Sequence, residues 1–226
     1  MSDAGHDAMK SFTFLLFASG ILNASEISVR VYNTSKIVPA TLDRAMREAS
    51  RIFGQAGVEI RWEEGDPNAQ EAHETDQSAP TAFRDRHVRD YLVLRIGRGL
   101  AANTPKTALG ISYPYAQLGA SATVFEERIE DVCQTPGIDF AVVLGYAIAH
   151  ELGHVVLVFN GHSSTGIMRA RFGPTELRAA QLGILAFTPD QAIRMRRYRP
   201  ANAPYSRNSV EMLEKRASRK EADFKQ

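Results

Sequence analysis

The chain has 226 residues, 44% hydrophobic and 23% charged, enough to bury the core of one domain plus a small appendage. Its net charge of +1 supplies no global pull toward nucleic acid or an anionic membrane, so no nucleic-acid partner is expected. The one cysteine, Cys133, excludes an intrachain disulfide framework and reads as an unpaired thiol without a metal role.

The chain begins with a targeting pattern. Lys10 precedes the apolar run Phe12-Thr13-Phe14-Leu15-Leu16-Phe17-Ala18, and small residues follow through Ala24 and Ser25. A basic residue, an apolar stretch and a small-residue cleavage zone predict a signal peptide over 1–25, and a secreted, periplasmic or extracellular protein. The residues before Met9 carry Asp3 and Asp7 and no Lys or Arg, so Met9 is the better start for such a segment. A hydrophobic N-terminal strand is the alternative.

Ile27, Val29 and Val31 alternate with Ser28, Arg30 and Tyr32, the pattern of a half-buried strand. From Pro39 to Gln55 apolar residues recur at Leu42, Ala45, Met46, Ala49, Ile52 and Phe53, and Gly54 and Gly57 punctuate the end of an amphipathic helix. Val58 to Trp62 alternates again, and the polar stretch from Glu63 to Pro80 reads as a surface loop. Leu92–Ile96, Ala108–Tyr113 and Ser121–Phe125 are further strands. Phe140 to Phe159 is apolar and nearly long enough to span a bilayer. With no second span to shelter His150, Glu151 and His154 from lipid, it is expected to be a buried core helix, with no stable membrane insertion after signal cleavage. Two helices, Pro174–Ala186 and Pro189–Tyr198, would form a small lower subdomain. From Arg194 onward ten Lys/Arg stand against four Asp/Glu, so residues 201–226 read as a basic, solvated tail.

Inside the apolar helix lies His150-Glu151-Leu152-Gly153-His154. Residues four apart share a helix face, so both imidazoles can reach one ion, while Glu151 can face a water beside it. Neutral nitrogen ligands, an open position and a nearby base are what zinc needs to make a nucleophile of water. The alternative is a chance string of two buried, hydrogen-bonded histidines. A third histidine, His162, follows the Asn160-Gly161 pair, where the chain can turn out of the helix and bring it under the ion. Glu176 is the rival third ligand, a carboxylate from a later helix.

Here the chain resembles the metzincin clan of zinc endopeptidases, whose signature is HExxHxxGxxH followed by a Met-turn. His162-Ser163 and Gly166-Ile167-Met168 look like the end of a matrixin-type site. The clan's glycine position is Leu157 here and its third-ligand position is Asn160, so His162 takes that place only with two extra residues in the turn. The resemblance implies zinc on His150, His154 and His162, Glu151 as general base, and Met168 as an apolar floor. It also implies an α+β, zincin-like fold over 26–200. A mixed twisted sheet and two long helices, one carrying HExxH, would form an upper subdomain over 26–160, above a small helical lower subdomain over 161–200.

In such enzymes an edge strand pairs with extended substrate, and the small residues Gly119, Ala120, Ser121 and Ala122 suit that role; an ordinary strand after a glycine turn is the alternative. Arg169, Arg171 and Phe172 follow the Met-turn, where the clan shapes a substrate pocket, or are plain surface arginines. Tyr113 and Tyr115 are candidate oxyanion stabilisers. The expected partner is a protein or peptide substrate. A zinc-binding secreted protein without proteolysis, and a secreted adhesin, remain as the other classes.

Overall fold

The computed structural model describes residues 25–66, 91–99, 104–114 and 120–198. The expected signal segment up to Ala24, most of the expected polar loop, Tyr115, Gly119 and the basic tail lie outside the described residues. Ser25, placed at the end of the expected signal segment, is already the first residue of a strand.

Elements follow in the order β1 (Ser25–Asn33), α1 (Pro39–Gln55), β2 (Val58–Glu64), β3 (Tyr91–Gly97), β4 (Gly110–Tyr113), β5 (Ser121–Phe125), α2 (Glu126–Cys133), α3 (Phe140–Leu157), α4 (Pro174–Gln181) and α5 (Pro189–Met195). The result is a mixed α+β fold with a five-stranded, mostly parallel sheet ordered β2-β1-β3-β5-β4. β1, α1 and β2 form a parallel βαβ unit, because a parallel partner can only be reached by a crossover long enough to hold a helix. β4 alone runs antiparallel, pairing with β5 through Gly110 opposite Val124 and Ser112 opposite Ala122.

α2 was not legible as an expected element. Its eight residues are too few for a clear apolar stripe, although Glu126 and Glu127 in its first turn favour a helix start. Both expected lower helices are shorter than the periodic reading: α4 stops at Gln181 and α5 at Met195.

α3 organises the core. Asp139 caps it by accepting from the Val142 N–H at 3.0 Å, and every residue from Val143 to Leu157 is buried. The helix is long and apolar enough to cross a membrane, yet 89% of it is buried inside the protein, against α1 and the sheet. Side chains such as Leu144, Ile148 and Leu152, none measurably exposed, contribute about 2 kcal/mol each by leaving water. That burial holds the helix rigidly, and with it whatever its third and fourth turns carry.

Candidate metal centre

His150 and His154 lie one turn apart on α3 and are almost fully buried, 8% and 5% exposed. The His150 Nδ1 stands 2.7 Å from the carbonyl oxygen of Ile167, and the His154 Nδ1 2.7 Å from that of Phe159. A carbonyl only accepts, so each Nδ1 carries the proton and donates it. Burial drives both rings to the neutral form, pushing His150 down to about 3 and lowering His154, with the backbone hydrogen bonds opposing. Each Nε2 is then a bare lone pair, and the two Nε2 atoms stand 3.1 Å apart.

Two lone pairs at that separation repel unless a cation lies between them. His162 joins from the loop, its ring 5.5 Å from that of His150 and 4.9 Å from that of His154. One nitrogen from each of the three lies within 4.8 Å of the others. Nitrogen ligands bound to tetrahedral zinc at about 2.0–2.1 Å stand roughly 3.4 Å apart, so the His150–His154 pair is close to that spacing, while the 4.8 Å span of the full set is wider and closes on an ion only if a ring moves inward. The carbonyls behind His150 and His154 are the kind of outer partner that fixes a ligand's tautomer and aim.

The turn that delivers His162 differs from expectation. Asn160-Gly161 does not reverse the chain; Val158 does, in the left-handed region at φ 49° and ψ 53°. The Val158 and Phe159 N–H groups close on the carbonyls of Val155 and His154, each at 3.1 Å. Gly161 instead lies under the exposed Phe159 ring, which a Cβ there would meet at 2.2 Å and displace. Arg194 on α5 also reaches this turn, donating to the Leu157 carbonyl at 3.1 Å with its guanidinium 5.8 Å from the Phe159 ring.

Met168 is buried beneath the helix, and Ser163 donates to its carbonyl at 2.8 Å, tying the His162 loop to it. The close approach requires Gly153: a Cβ there would lie 2.7 Å from the Met168 sulfur and 2.8 Å from the Phe187 ring.

Glu151 is 5% exposed and points toward β4, where the Ser112 hydroxyl donates to its carboxylate. Burial raises its carboxyl to about 8, with the Ser112 bond working in the opposite direction. Gly110 makes room for it, because a Cβ there would stand 2.6 Å from the Glu151 Cγ and 2.5 Å from the Thr123 carbonyl. Neither Gly110 nor Ser112 stood out in the sequence; the glycine opening a short strand was the only signal.

The expected edge strand is corrected. Ala120 to Ala122 lead into β5, an inner strand between β3 and β4, while among the described residues β4 is the outer strand on the side of the histidines. Small side chains suit an edge and an inner strand alike, and β4 folds back antiparallel to cover this one. Tyr113, 52% exposed, does not line the cleft. Glu176 is engaged elsewhere: it caps α4 by accepting from the Gly173 N–H at 3.0 Å and pairs with Arg169.

The histidines and Glu151 open onto a cleft of about 400 Å³. Gly110 to Ser112 line one wall and Arg169 to Phe172 another.

No protein-family profile matches the chain, and no curated protein matches its sequence. Among solved structures, a zinc-dependent peptidase from Methanocorpusculum labreanum (strain Z) is similar, with a TM-score of 0.48 and 14% identity. The match covers 74% of this chain and 99% of that one.

Proposed function

We propose that this protein is a zinc-dependent endopeptidase of metzincin type, with His150, His154 and His162 as the metal ligands and Glu151 as the general base. The observation that carries the reading is the pair of Nε2 lone pairs aimed at each other at 3.1 Å, each ring held by a carbonyl behind it, with a buried carboxylate alongside. A closed structural site has no use for Glu151, which binds none of the ring nitrogens and faces the cleft.

Bound by the three histidines, zinc supplies Lewis acidity that acidifies water and polarises a peptide carbonyl. Burial alone keeps the Glu151 carboxyl largely protonated near neutrality, and a divalent charge beside it would favour the carboxylate, which would take the water's proton and pass it to the leaving amine. β4, outermost of the described strands and lining the cleft through Gly110 to Ser112, would offer backbone groups to an extended peptide, in place of Gly119–Ala122. Met168 fills the space under the helix, keeping the ligands dry from below. The apolar run 12–18 supports export, with cleavage near Ala24; N-terminal sequencing of extracellular protein starting at Ser25 or Glu26 is the expected result, and recovery of cytoplasmic protein starting at Met1 is the opposing one.

The decisive experiment is Glu151→Ala. The variant should keep about one zinc per chain by elemental analysis while losing about a thousandfold in hydrolysis of a protein substrate such as casein. Wild-type activity in that variant, or a purified wild type free of transition metal after metal-replete preparation, would overturn the reading.

A further inference from the structure

The wall of the cleft after Met168 carries two guanidinium groups in unequal circumstances. Arg169 is bound to Glu176, a buried carboxylate that also caps α4, so its charge is answered within the fold. Arg171, two residues on and exposed, also lines the cleft, and among the described residues no carboxylate lies against it. The facing wall, from Thr104 to Ser112, contributes no charged lining side chain. Of all the described lining residues only Glu151 is acidic, and it faces Ser112. Among the described residues the cleft therefore holds one unanswered positive charge beside the three histidines, and a divalent ion there would add to it.

A guanidinium on the cleft wall with no carboxylate against it among the described residues selects for a carboxylate, which it can bind through two parallel N–H donors. We infer that Arg171 is a specificity-determining residue that binds a substrate carboxylate close to the scissile bond. This rests on the peptidase reading for its substrate, but the charge preference belongs to Arg171 alone. The carboxylate is either an Asp or Glu side chain flanking the cut or the free end of a short peptide, and the test separates these.

Quenched-fluorescent peptides, N-acetylated and C-amidated, would carry Glu, Gln or Lys at each position flanking the cut, with one neutral peptide also made with a free C-terminus. For the wild type, kcat/KM for Glu over Gln should be about fivefold at one position, the scale of a half-exposed ion pair, and should shrink as salt is raised. Arg171→Gln should bring that ratio to one, and Arg171→Glu should invert it in favour of Lys. Arg169→Gln should leave the ratio near the wild-type value, since its charge is already paired. A gain confined to the free C-terminus would assign the carboxylate to the chain end.

Equilibrium binding of the same peptides, read by fluorescence anisotropy, supplies a measure that needs no turnover. A Glu preference in binding that vanishes in Arg171→Gln, with no peptide cleaved, would overturn the peptidase reading and keep the carboxylate subsite. Cleavage with equal Glu and Gln rates in the wild type would overturn the subsite and keep the peptidase. A Glu preference surviving in Arg171→Gln would also overturn it, placing the selectivity on another group.

Discussion

The three histidines come from two regions held in different ways. His150 and His154 ride on α3, buried among the core side chains, each with its Nδ1 on a backbone carbonyl. His162 stands on an exposed loop that leaves the helix through a valine in left-handed conformation. The first two are set by the same burial that stabilises the fold, so they are preorganised, at the cost of two lone pairs facing each other. The third is positioned by a turn that a β-branched residue adopts only under strain, and by contacts from Met168 and Arg194 that hold the loop. A metal site of this build has a rigid half and an adjustable half, and the two should respond differently to perturbation.

The largest expected effect sets the halves against each other directly. His154→Ala and His162→Ala should each weaken zinc binding by more than about a hundredfold, since each removes one of three protein ligands. His154→Ala should also lower the melting temperature of the metal-free protein, because it leaves the Phe159 carbonyl unpaired and a cavity in the core. His162→Ala should leave that temperature unchanged. Zinc titration and metal-free thermal melts of both variants check this, and a His162→Ala protein with wild-type affinity would remove the loop from the site. Glu176→Ala is the companion control: affinity close to wild type, with stability lower by about 1 kcal/mol from the lost cap.

Gly153→Ala tests the rigid half by itself. The added methyl meets Met168 and Phe187 well inside contact distance, and overpacking of this kind costs about 2 kcal/mol. Chemical denaturation should show that loss; an unchanged midpoint would mean that the helix and the Met168 turn pack less tightly than the distances imply.

Val158→Gly tests the adjustable half and should act in the opposite direction. Relief of the left-handed strain should raise stability by about 1 kcal/mol, offset in part by the entropy of the unfolded glycine chain. Denaturation should register the gain, and a loss instead would show that the valine side chain matters more than its backbone angle. The smallest effect is expected from Arg194→Ala. Its bond to the Leu157 carbonyl supports the turn without touching a ligand, so zinc affinity should fall about threefold, less than for a partner bonded directly to a ligand. A fall as large as that of His162→Ala would mean that the loop has no stability of its own.

Much of this protein was determined by local sequence. Alternation in 27–32 and 58–62 and the helical period in 39–55 are backbone periodicities, and they produced β1, β2 and α1 within a few residues. The same holds for α3 and its two histidines, because a four-residue spacing on a helix places side chains together whatever surrounds it. Tertiary structure decided the rest. The small residues 120–122 fit an edge strand as well as an inner one, and only the fold-back of β4 put them inside. Gly110 and Ser112 reach Glu151 solely through strand pairing across β5, a contact between residues some forty positions apart. The chain reversal fell at Val158 although Asn160-Gly161 carried the better turn residues, because closing the helix on His154 and Val155 while seating the Phe159 ring over Gly161 outweighed local preference. Sequence spacing determines what a single element can present; which elements meet, and which residue absorbs the strain of their meeting, depends on packing that no local pattern encodes.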